Sequence, residues 1–124
     1  MKRILLTLLL LFGTCTVAVA VDLNDGIAAF QSEDYATALA KLTKAAEAGN
    51  VDAQGRLASM YAVGHSVPQD FVQAYKWFNI AASTATDKEE RDRSVSNRDL
   101  VSGKMTPNQI AEAQRLAREW KPKK

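Results

Sequence analysis

The sequence holds one cysteine, one histidine, three prolines and few aromatic residues, 7% of its 124 positions. Each scarcity excludes something. With so few thiols and imidazoles, only carboxylates are left to hold a metal ion. The shortage of aromatic and β-branched residues, set against abundant alanine, argues against a sheet and for closely packed helices. No charge of one sign dominates: 16 basic residues face 14 acidic ones, a formal net charge of +2, far from the strong basic field that nucleic-acid binding requires. A Gly-rich phosphate loop is missing too, because Gly64 to Ser66 has neither the spacing nor the following lysine. There is no low-complexity stretch and no linker long enough to separate a pair of domains, so the chain reads as one domain with a modest core.

What is present begins with an address. Lys2 and Arg3 open the chain, Ile4 to Phe12 is an apolar run broken only by Thr7, and Ala18-Val19-Ala20 supplies small residues. That order is a secretory signal peptide over residues 1–20, with cleavage expected between Ala20 and Val21 and a destination in the periplasm or outside the cell. As a membrane anchor the stretch Ile4 to Ala20 is at the short limit and is diluted by Gly13, Thr14 and Thr16. Thr14 and Phe12 are poor neighbours for lipidation of Cys15. Lys2, Arg3 and Cys15 leave with the leader and no acidic residue does, so the remainder carries 14 charges of each sign and no thiol. Disulfides, thiol catalysis and cysteine-ligated zinc are then excluded, and the exported domain must hold together by packing alone.

Helical periodicity fills the rest. Leu23, Ile27 and Phe30 recur at spacings of four and three before a break at Ser32-Glu33-Asp34, where Asp34 is a helix cap. Tyr35, Ala38, Leu39, Leu42, Ala45 and Ala46 share one face up to a stop at Gly49-Asn50. Asp52 is expected to cap the next helix, with Ala53, Leu57, Met60 and Tyr61 inward and Gly64 at its end. After the turn Val67-Pro68-Gln69-Asp70, a further stripe comprises Phe71, Ala74, Tyr75, Phe78, Ala81 and Ala82. The segment Asp87 to Met105 is strongly charged and offers only Val95, Leu100 and Val101 for burial. Thr106-Pro107 starts a last helix, with Ile110, Ala113, Leu116, Ala117 and Trp120 on one face, and Lys121 to Lys124 is expected to fray as a basic tail.

These segments repeat. A shift of 36 residues brings Asp34-Tyr35 onto Asp70-Phe71, Ala38 onto Ala74, Leu42 onto Phe78 and Ala45-Ala46 onto Ala81-Ala82. The preceding helices align at a shift of 31, Ala29-Phe30 against Met60-Tyr61, so the second unit has the longer interhelical loop. Tandem helix-turn-helix units are the signature of an α-solenoid, and a polar last pair seals its open end.

The run from Ala53-Gln54-Gly55-Arg56-Leu57-Ala58 through Met60-Tyr61, Gly64, Val67 and Asp70, continued by Ala74, Trp77-Phe78 and Ala81-Ala82, resembles the Sel-like repeat, a relative of the tetratricopeptide repeat. Ala58 and Ser66 depart from it, each standing where the family has glycine; a positive φ at Ser66 would cost on the order of 1 kcal/mol. Met105-Thr106-Pro107 through Trp120-Lys121-Pro122 is similar to the capping ends of exported bacterial members. The resemblance implies an all-α fold, a short right-handed α-solenoid of about three antiparallel helix pairs. Its expected parts are a shortened repeat at 21–50, a full one at 51–84 and a degenerate capping pair at 86–120, together forming a domain over 21–124.

No catalytic constellation accompanies this fold. His65, Ser66 and Asp70 share one turn, without the fixed mutual geometry of a nucleophile, base and orienting acid, and His65 reads as a solvated turn residue. Glu89, Glu90 and Asp92 are interleaved with Lys88, Arg91 and Arg93, a self-compensating solvated face rather than a metal site. No cofactor is expected. The resemblance implies a non-catalytic protein–protein interaction module whose partner is another protein, with Tyr61, His65, Gln69 and Tyr75 as candidate contacts on the side formed by the first helix of each pair. The alternative is an envelope-attached structural or regulatory protein, held at the membrane by an uncleaved leader or by the basic tail.

Overall fold

The structure, a computed structural model, describes residues 2–123, with side chains from Val17 to Lys123. The apolar run Ile4 to Phe12 and Cys15, which bear on the leader reading, lie outside the described side chains. Among the described residues there are six helices and no strand: α1 (Lys2–Gln31), α2 (Tyr35–Glu47), α3 (Val51–Val63), α4 (Phe71–Thr84), α5 (Lys88–Ser102) and α6 (Pro107–Glu119). None of the helices among the described residues is long and apolar enough to cross a membrane.

Local chemistry sets the helix ends. Side chains of Asp34, Asp70 and Asp87 accept hydrogen bonds from the backbone N–H of Thr37, Gln73 and Glu90 at 3.3, 3.1 and 3.0 Å, satisfying donors that the first turn leaves free. Thr106 and Gln109 form a reciprocal capping box ahead of Pro107. For α3 the cap is Asn50, whose Oδ1 accepts from Ala53 N–H at 2.8 Å, and the expected Asp52 is already inside the first turn, paired with Arg56 at 2.9 Å. Asn50 takes this role because α2 closes on a left-handed Gly49, φ +102°, which swings the next residue into extended backbone. The same closing pattern ends α1, where Glu33 N–H donates to the Phe30 carbonyl and Asp34 N–H to that of Ala29. There a glutamate adopts the left-handed turn, φ +61°. Ser66, at φ +56°, also stands in the left-handed region that its glycine-to-serine departure made costly, by about 1 kcal/mol.

Packing follows from small residues at the seams. Ala38, Ala45, Ala46, Ala53, Ala58 and Ala74 are fully buried, so helix axes approach closely. At Gly26 even a methyl group is too much, since a Cβ there would lie 2.8 Å from the Leu42 side chain. Helix α4 is the pillar. It packs against α3, α5 and α6, burying Ala74, Tyr75, Trp77, Phe78, Ile80, Ala81 and Ala82. Trp120 meets Trp77 edge-on with ring centroids 6.0 Å apart.

Two expectations need correction. Leu100 is 72% exposed, because α5 turns Val101 and Ser94 toward α4 and leaves Leu100 at the rim. The C-terminal tail is docked rather than frayed. Lys123 N–H donates to the Glu47 carbonyl at 2.7 Å, its ammonium lies 3.2 Å from the Glu47 carboxylate, and Pro122 rests against Gly49. An extended, proline-stiffened segment lies along the end of α2; a Cβ on Gly49 would meet Pro122 only at ordinary contact distance, so glycine is needed there for its φ of +102° and not for room.

Candidate interaction surface

The first helices of the units, α1, α3 and α5, share one face, and a chain of hollows runs along it. Residues of α3 at helical spacing, Asp52, Arg56, Ser59 and Val63, point outward along this face. Between α1 and α3 lies a hollow of about 240 Å³ lined by Phe30, Leu42, Arg56, Met60, Val63 and His65. Between α3 and α5 lies another of about 280 Å³, with Ala62, Val63, Phe71, Phe78, Leu100 and Lys104 in its walls. A third, more polar hollow of about 260 Å³ adjoins them, edged by Asp52, Arg56, Glu90, Arg93 and Asn97. Ser59 lines all three, so they adjoin one another as a groove along α3.

Its surface is unusual for solvent-facing helix. Val63 is 62% exposed and forms a ridge shared by the two apolar hollows, with Leu100 across from it. The Lys104 ammonium lies 5.7 Å from the centre of the Phe71 ring, a cation–π placement that holds it at the groove. Arg98 braces α5 from behind by donating to the Asn79 side chain at 3.0 Å, which anchors that wall to the pillar helix.

The candidate residues read from sequence are dispersed. His65 lines the first hollow, but as part of an aromatic cluster instead of a solvated turn: its ring stacks on Tyr35 with centroids 4.7 Å apart and meets Phe30 edge-on at 5.7 Å. Gln69 is exposed and folds back, its Nε2 donating to the Ala62 carbonyl at 2.8 Å. Tyr75 is buried at 6% exposure and its hydroxyl accepts from Gln114 Nε2 at 3.3 Å, so it joins α4 to α6 and lines none of the three hollows. Tyr61 is half-buried; burial raises its phenol pKa above the ordinary value, and the carboxylates of Asp70 and Glu47 add to the effect. Asp70 is itself committed to capping α4, and no hydrogen bond links it to His65 or Ser66. Sequence reasoning missed the groove residues Arg56, Ser59, Val63, Leu100 and Lys104. The available signal was a valine on the polar face of α3 and a leucine in an otherwise charged helix.

Comparison with known proteins agrees with this architecture. Residues 23–50 and 51–83 each match the family model of the Sel1 repeat. The crystal structure of a protective antigen present in uropathogenic Escherichia coli strains, displaying an SLR fold, resembles the chain with a TM-score of 0.75 at 30% sequence identity over 82% of its length. The chain spans 22% of that antigen. No curated protein matches it. Sel1 repeats are protein–protein interaction modules. With two tandem repeats and the fold to go with them, the chain belongs to the Sel1-like repeat family.

Proposed function

We propose that this chain is an exported, non-catalytic adaptor that grips a partner protein in the groove along α1, α3 and α5. The observation that carries the reading is the exposed apolar lining of that groove, Val63 and Leu100 above all. Apolar groups gathered on an otherwise polar surface mark a place that gains by being covered. Export rests on the charge–apolar–small order of residues 1–20. It is also supported by the residues just beyond: Asp22, Asn24 and Asp25 are poor in a helix interior. Once the chain begins at Val21, they stand in or just beyond its first turn, where the Asp carboxylates complement the helix dipole.

The second reading is an envelope-attached structural or regulatory protein held by its uncleaved leader, favoured by the continuity of α1 across Ala20. The tail is a poorer anchor, because Lys123 is already paired with Glu47. Two measurements separate the readings. Mass spectrometry of the native N-terminus gives Val21 as first residue for the exported adaptor and an intact leader for the attached protein. A photocrosslinking amino acid at Leu100, used in the native envelope, is expected to give a discrete protein adduct; its absence would remove the groove from the reading.

A further inference from the structure

The lining of the groove separates charge in a way that limits what can occupy it. The two apolar hollows hold no carboxylate: Arg56 is the charged residue of the first and Lys104 that of the second. The acidic residues of this face, Asp52 and Glu90, are confined to the polar hollow, where Arg56 and Arg93 also stand. Asp52 is paired with Arg56, whereas among the described residues no carboxylate lies within ion-pair reach of Arg93 or Lys104. The apolar hollows thus share the Val63 ridge; the unpaired Lys104 stands at the wall of the second, and Arg93 stands in the adjoining polar hollow beside a likewise unpaired Glu90.

Resting on the docking reading above, we propose that the groove selects a partner segment bearing apolar side chains flanked by carboxylates, an acidic–apolar peptide. The apolar groups fill the hollows on either side of Val63, and the flanking carboxylates pair with Lys104 and Arg93. A purely apolar occupant would desolvate these cations without compensation. A basic segment would bring like charges together, which complementary interfaces avoid. Nucleic acid and anionic membrane are disfavoured by the same inventory, because a few cations spaced along an apolar floor do not make an extended basic field.

Fluorescence anisotropy with the purified chain, as its host processes it, tests this directly. The probes are a labelled octapeptide with Leu and Phe set among Glu and Asp, the same peptide with every acid replaced by Lys, and the acidic peptide with Leu and Phe replaced by Ser. The first is expected to bind and the other two to bind far more weakly. Lys104→Glu should weaken the first by about tenfold, as expected for a charge pair at a groove, and its binding should fall as salt shortens the reach of the charges. Leu100→Ser should weaken it too. Both positions are exposed, and unchanged thermal melts would show that both variants are folded. No binding of the acidic–apolar peptide, equal binding of the lysine peptide, or indifference to Lys104→Glu would each overturn the proposal. The Leu100 crosslink in the native envelope keeps the two readings apart. An adduct that disappears with Lys104→Glu supports both. An adduct that survives it leaves the groove in place and overturns the charge selection, and no adduct removes the docking reading itself.

Discussion

Helices α4 and α5 lie side by side and are nearly equal in length, 14 and 15 residues, yet α4 buries seven side chains and α5 only Ser94 and Val101. They are held by different means. For α4 the support is tertiary: Trp77 and Phe78 fill the space between units, and the flanking alanines let neighbouring backbones close in. α5 draws much of its support from itself, through the Asp87 cap, Glu89 and Glu90 in the first turn, and the Lys88–Asp92 ion pair at 2.6 Å. The acidic first turn faces the positive end of the helix dipole, and the exposed pair adds only a little. A helix that needs few of its side chains for packing has the others free for a partner, and α5 lends Leu100 and Asn97 to the groove.

The contrast breaks first at Trp77. Trp77→Ala should cost about 3–5 kcal/mol, a large share of the stability of a domain this size, and chemical denaturation will read it; a variant that unfolds like the parent would mean that α4 is not the pillar. Gly26→Ala should cost about 1–3 kcal/mol, because the new methyl forces Leu42 out of place. Asp87→Ala sharpens the other side. It should cost about 1 kcal/mol and speed hydrogen exchange in α5 while leaving α4 protected, with Asp87→Ser close to neutral. Leu100→Ala should shift stability by no more than about 0.5 kcal/mol while weakening the acidic–apolar peptide in the anisotropy assay. The smallest effect lies in Tyr61. Its raised pKa means that the unfolded chain loses this proton first, so its contribution to stability is intact below pH 10 and declines as pH rises above it. Absorbance titration should show Tyr61 ionising above the ordinary tyrosine range, and less so in Asp70→Asn, where the cap survives but the charge is gone.

The sequence is most legible where the physics is local. Asp34, Asp70, Gly64 and Thr106-Pro107 end or begin helices through contacts within a turn, and each stands where the pattern puts it. The pattern places the α3 cap at Asp52 instead of Asn50 because both residue types suit the position, and only the left-handed Gly49 decides where α3 starts. Periodicity also identifies the buried stripe of α6 but not its support, since Ala113 and Trp120 face α4 by virtue of where the chain turns. The groove is hardest to see. Burial patterns reveal what packs inward, whereas Ser59, Val63 and Leu100 matter for facing out, and their grouping depends on the separation of α3 and α5. The docked tail depends on an equally distant contact, Lys123 with Glu47.

That contact changes how the molecule should come apart. In an array of repeats each unit touches only its neighbours, so the ends can unzip while the middle persists, and exchange protection grades from centre to edge. Here the last residues clasp the first repeat, and opening either end also loosens the other. The clasp, one backbone hydrogen bond and one exposed ion pair, ties the last residues to the first repeat and so favours melting of the units together.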